Sequence, residues 1–169
     1  MLTTRAMIST RKLYFCLGML AALLVIGSFI LQYGFKLQPC SLCIIDRVLV
    51  MALALLFLIA AIHNPKKVGK LIYGLLGFLI AIAGIAVTGR HLWLMHLPPD
   101  KVPECGPGLN YLIETMPLKE ALMTVFAGSG ECAKDIPYFF GLSLPLWTMI
   151  AFILLAVASW VPCFWNSRK

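Results

Sequence analysis

Four stretches of the chain run almost without polar interruption: Leu13 to Leu31, Ile44 to Ile62, Leu71 to Thr88 and Leu144 to Val161. Each is 18 or 19 residues long. At about 1.5 Å per helical residue, that length crosses a hydrocarbon core of about 30 Å. The second stretch carries Asp46 and Arg47 in its first turn, and the other three carry no formal charge. The first is long for a signal peptide and lacks a small-x-small cleavage site, so it reads as a retained helix. The pattern predicts an all-α membrane protein, an antiparallel bundle of four transmembrane helices forming one integral membrane domain over residues 1–169. Loops 32–43 and 90–143 face one side. Within the longer loop, Leu118, Ala121, Leu122, Val125 and Phe126 recur at helical spacing in "PLKEALMTVF". That segment is too short and polar to span, and predicts a short helix lying on the membrane surface.

Composition agrees. The chain is 61% hydrophobic and 12% charged, where a soluble domain is roughly half apolar and a quarter charged. The net charge of +7 does not point to nucleic acid, because the basic residues flank apolar runs and form no stripe. Arg5, Arg11, Lys12, Lys66, Lys67, Lys70, Arg168 and Lys169, 8 of the 14 basic residues, fall on one side of the predicted bundle together with both termini. Basic loops stay in the cytoplasm. Both termini are therefore expected there.

Topology sorts the six cysteines. Cys40, Cys43, Cys105 and Cys132 fall on the outer side, which is oxidising in a bacterium, and Cys16 and Cys163 fall near the reducing cytoplasm. The inner two read as small apolar packing residues. Of the three pairings open to four cysteines, Cys40 with Cys43 is the local one, leaving Cys105 with Cys132. A Cys105–Cys132 bond could simply close and stabilise the long loop. Against this, "VPECGPG" and "GSGECA" place both cysteines in segments without packing signals, where disulfides tend to exchange. A zinc site would need two more ligands at compact spacing. His91, His96, Cys105 and Cys132 make a poor set, so no metal is expected.

"QPCSLCIIDR" holds the chemistry. The second helix is expected to begin at about Cys43. A sulfur there meets the positive end of the helix dipole and unpaired backbone N–H groups, which favour the reactive thiolate. Arg47 is one turn further along the same face. It can support negative charge on that sulfur or on a lipid-soluble acceptor. Asp46 and Arg47 could also serve as interfacial anchors, and for Asp46 that is the favoured reading. "TGRHLWLMHLPP" closes the third helix. It places His91 near the level of Arg47, as a proton relay or as an interfacial residue beside a Trp93 belt. Arg90 and His96 read as interfacial.

These residues resemble a known family. "PCSLCIIDR", "RHLWLMHLP", "PECGPGLNYL", the "PL" opening the loop helix, "GSGECA" and "FFGLSLPLW" stand in the order found in the DsbB family, the bacterial inner-membrane disulfide oxidases, and the resemblance spans nearly the whole chain. It implies that Cys40 and Cys43 pass electrons to a membrane quinone, ubiquinone or menaquinone, with Cys43 facing the quinone ring. It implies that Cys105 and Cys132 oxidise a periplasmic thioredoxin-fold partner of the DsbA type, with Cys105 forming the mixed disulfide. Arg47 and His91 stand where the family binds quinone. One departure is Pro137, where family members often carry Trp. The competing readings are a membrane thiol reductase of the vitamin K epoxide reductase type and a non-catalytic membrane assembly protein with structural disulfides. The reductases usually carry their C-x-x-C near the last helix, whereas this one opens the second.

Overall fold

A computed structural model describes residues 9–34, 36, 40–98, 117, 119–120, 123, 138–139 and 141–164. Among them are four long helices: α1 (Thr10–Gly34), α2 (Ser41–His63), α3 (Lys67–Met95) and α4 (Leu144–Phe164). All four are long and apolar enough to cross a membrane. Each helix outruns its apolar stretch, because hydropathy marks the hydrocarbon whereas a helix continues until its end groups are capped. α3 runs seven residues past Thr88 and so carries Gly89, Arg90 and His91 inside the helix.

The connection between α2 and α3 shows why neighbours run antiparallel. Asn64 takes the left-handed conformation at φ 48°, and its N–H donates to the Ala60 carbonyl at 2.9 Å. Pro65 follows and cannot continue the helix. α3 restarts two residues later. Before α4, the two-residue strands β1 (Tyr138–Phe139) and β2 (Leu142–Ser143) form an antiparallel hairpin with Gly141 at φ 79° in its turn. The apolar pattern gave no sign of it.

α2 packs between α1 and α3, and α4 packs on α3. Lipid tails are as apolar as a leucine side chain, so membrane helices associate by close fit. α3 supplies that fit with a seam of Gly74, Gly77, Ala81, Gly84, Thr88 and His91, all buried and spaced three or four residues apart. A Cβ on Gly84 would collide with the Phe152 ring of α4, and one on Gly74 would lie 2.8 Å from Cys163 Sγ and 3.1 Å from the Ser159 carbonyl oxygen. The core around Tyr14, Leu53, Phe57, Phe152 and Leu155 fills the remaining space. Outside it Leu20, Ile30, Leu55, Ile62, Leu154 and Val157 are exposed. That is the surface expected to face lipid, and Trp93, also exposed, fits the expected belt.

Several expectations fall outside the described residues: Cys105, Cys132, Pro137, the flanking basic residues Arg5, Arg168 and Lys169, and most of the surface helix. Of that helix, Lys119, Glu120 and Met123 are helical and exposed.

Candidate functional site

α2 begins at Ser41, two residues before the expected start, and this changes what each cysteine does. Cys40 is the N-cap, in extended conformation at φ −69° and ψ 168°. Its Sγ accepts from the Cys43 N–H at 3.4 Å, and its carbonyl accepts from the Ile44 N–H at 3.2 Å. A sulfur takes the place usually held by a Ser or Asp oxygen. Capping folds the Cys40 side chain back over the first turn, and the two Sγ atoms lie 3.0 Å apart as free thiols. Both sulfurs thus sit at the positive end of the α2 dipole.

His91 completes the cluster from α3. It is 1% exposed, with Nε2 3.9 Å from Cys40 Sγ and Nδ1 3.9 Å from Cys43 Sγ. The sequence left it between a proton relay and an interfacial residue, and its burial is not that of an interfacial residue. The signal was present in the sequence: His91 continues the small-residue seam of α3 at the same spacing and therefore belongs in the helix contact. Leu42, Val87 and Leu94 are buried around Cys40 and form a dry wall, which strengthens any electrostatic interaction among the three groups.

One turn further into the bundle, Asp46 is 5% exposed. The Thr88 hydroxyl lies 3.2 Å from Asp46 Oδ1 and 2.6 Å from the Gly84 carbonyl oxygen. Asp46 is therefore not the interfacial anchor expected of it. It lies on the buried face of α2 with Leu42, Val50 and Leu53, and a carboxyl on that face needs a partner from α3. Thr88 was missed because a threonine at the end of an apolar stretch looks like a boundary residue.

Arg47 shares the Cys43 face of the helix, but its guanidinium reaches to α1. Nη1 donates to Gln32 Oε1 at 2.5 Å and Nη2 to the Ser28 carbonyl at 3.4 Å. The guanidinium carbon stands 4.4 Å from the centroid of the Phe29 ring. Gln32 is the second residue that sequence reasoning missed. Arg47 Nε is buried and, among the described residues, has no hydrogen-bond partner. Arg90 lies over Trp93 at 4.2 Å and His96 Nδ1 meets the Leu92 carbonyl at 2.8 Å.

The site is thus a dithiol at the start of a membrane helix, with a histidine buried against both sulfurs and an arginine one turn further along that helix, turned toward α1. The profile described as "Disulfide bond formation protein DsbB" matches residues 10–162. The chain is 48% identical over 152 residues to Disulfide bond formation protein B of Nitrosococcus oceani, covering 90% of each chain. It is 45% identical over 155 residues to the protein of that name from Methylococcus capsulatus, covering 92% of this chain and 91% of the relative. Against the Acinetobacter baumannii protein the identity is 43%, over 88% of this chain and 89% of the other. The fold and dithiol define a multi-pass membrane protein of redox type. The chain belongs to the DsbB family.

Proposed function

We propose that this chain is a thiol:quinone oxidoreductase that reoxidises a periplasmic thioredoxin-fold protein of the DsbA type and passes the electrons to a membrane quinone. The observation that carries the reading is the capped pair Cys40 and Cys43 with His91 within 3.9 Å of each sulfur. Family membership supports the disulfide-forming activity. In this reading residues 1–169 form one domain of the bacterial inner membrane, with both termini cytoplasmic.

The partner's thiolate attacks Cys105 of a Cys105–Cys132 disulfide, and Cys132 leaves as thiolate. The partner's second thiol then resolves the mixed disulfide, so that two electrons and two protons have entered the loop pair. The loop dithiol reduces a Cys40–Cys43 disulfide by the same exchange, leaving Cys40 and Cys43 as thiols. His91, 3.9 Å from each sulfur, takes the proton as the Cys43 thiol becomes the reacting thiolate.

The residues present fit a quinone. Arg47 Nε is a buried donor still open to an acceptor, and Arg47 and His91 are the residues that would hold the ring oxygens. When bound, a quinone supplies the acceptor for two electrons and two protons. Arg47, fixed by Gln32 and Ser28, needs no reorganisation to meet negative charge as it develops. Lipid solubility of the acceptor and water solubility of the partner explain a site at the boundary.

The test is anaerobic. Purified protein receives a quinone analogue and a reduced thioredoxin-fold protein, and quinone absorbance and partner thiols are followed together. Equal loss of quinone and of thiol pairs is expected; thiol oxidation without quinone loss would defeat the reading. Cys132→Ser should trap a mixed disulfide between the partner and Cys105, and its absence would reverse the assigned order.

A further inference from the structure

We propose that reduced Cys40 and Cys43 together with His91 form a binding site for a thiophilic divalent cation of the Zn2+ class, and that metal binding and oxidation of the pair exclude one another. The inference rests on the redox reading only in taking the pair to cycle between dithiol and disulfide.

One ligand atom from each residue can be chosen so that all three lie within 4.8 Å of one another. Around tetrahedral zinc, with bonds of about 2.3 Å to sulfur and about 2.0 Å to nitrogen, neighbouring donors stand about 3.3–3.8 Å apart. The separations here are 3.0 Å between sulfurs and 3.9 Å from each sulfur to its nearer ring nitrogen. Metal binding would spread the sulfurs by under about 1 Å and turn the imidazole so that one nitrogen serves both. The site is built before metal arrives, because Cys40 and His91 are 8% and 1% exposed and the N-cap fixes the Cys40 side chain. Two thiolates and a neutral imidazole are a soft donor set that selects zinc-like ions over magnesium or calcium.

Both sulfurs lie at the start of α2, beside the imidazole. Binding releases two thiol protons, forms two metal–sulfur bonds and one metal–nitrogen bond, and moves no electrons. A disulfide has no thiolate to offer. Metal thus stabilises the dithiol by mass action and slows its oxidation. Three protein donors leave a fourth position for water or another small ligand. Sequence spacing gave no such set. The third ligand comes from another helix, 48 positions away from Cys43.

The experiment uses the full chain in detergent with Cys16, Cys105, Cys132 and Cys163 replaced by Ser, so that Cys40 and Cys43 are the remaining thiols. The reduced protein is equilibrated with Zn2+ alone, separated from free ion and assayed for bound metal; half of the sample is oxidised beforehand. About one zinc per reduced chain and none per oxidised chain are expected. His91→Ala and His91→Gln should each weaken binding about tenfold or more while helicity is kept. Free zinc should slow oxidation of the dithiol by a quinone analogue, and a chelator should restore it. Equal metal in both redox states, no metal in either, or binding indifferent to both His91 variants would overturn the site. If the quinone analogue oxidises the thiols but zinc does not bind, the metal site falls and the redox reading stands. If zinc binds the dithiol but the quinone leaves it reduced, the redox reading falls and the metal site stands.

Discussion

At one end of the bundle Cys40, Cys43 and His91 meet each other across α2 and α3. At the other end a second set of the same residue types meets and does something different. There Cys163 Sγ donates to the Lys70 carbonyl at 3.1 Å, and the Tyr14 hydroxyl donates to the same oxygen at 3.4 Å. Lys70 Nζ donates to Thr10 Oγ1 at 2.9 Å, and His63 Nδ1 meets the Tyr73 hydroxyl at 3.0 Å. Those contacts hold the ends of helices together. The sulfur is directed at a backbone oxygen, and the histidine is exposed and meets a tyrosine hydroxyl. At the Cys40 end the histidine is buried, both its nitrogens face sulfur, and Arg47 has a buried Nε without a partner among the described residues. Residue type does not separate the two ends. Whether a reactive group is aimed at another reactive group does.

That contrast can be broken most severely through the cysteines. Cys40→Ser or Cys43→Ser should abolish quinone-coupled turnover, whereas the Cys16→Ser/Cys163→Ser double variant should oxidise partner fully; loss of turnover in the double variant would give the Lys70 end a chemical role. The two histidines come next. His91→Ala should lower turnover about 10²-fold and His63→Ala should leave it unchanged, as measured by quinone absorbance at saturating partner. Equal effects would mean that both act only through the fold.

Arg47→Ala should reduce the rate with quinone about 10²-fold while thiol exchange at Cys105 persists. Arg47→Lys should recover part of it, because an ammonium keeps the charge and loses the fork that reaches Gln32 and Ser28 together. Unaltered quinone kinetics in Arg47→Ala would make the guanidinium a strut between α1 and α2. The smallest effects are on stability. Thr88→Val removes a buried donor and should cost about 1–3 kcal/mol. Gly84→Ala pushes a methyl group into Phe152 and should cost a similar ~1–3 kcal/mol. Both are measurable by denaturant unfolding in detergent. A neutral Thr88→Val would show that Asp46 does not depend on that hydroxyl.

Much of the molecule was legible before any coordinates. Four apolar stretches bounded by basic residues specify four membrane helices, because a backbone in hydrocarbon must bond within itself. The C-x-x-C and the arginine one turn on were equally plain, since their geometry is local to one helix. His91 and Asp46 were read less fully: Asp46 was favoured as an interfacial anchor and His91 was left between a proton relay and an interfacial residue, whereas each lies buried in a helix contact. Their burial was written in the spacing of the α3 seam and of the α2 buried face, but in an all-apolar helix the polar residues draw the eye as boundary markers.

The sequence by itself determined the number of spans and set Cys40 and Cys43 at the start of the second one, at the end of the bundle away from Cys16 and Cys163. These follow from hydropathy, charge placement and the geometry of a single helix turn. Tertiary structure alone decided that His91 lies against both sulfurs, that Thr88 faces Asp46, and that Arg47 turns toward α1 with its buried Nε unpartnered among the described residues. Each of those facts depends on the rotation and register of two packed helices. Side-chain fit at glycines such as Gly18 against Leu58 and Gly77 against Phe57 sets that register, and no pattern along one helix contains it.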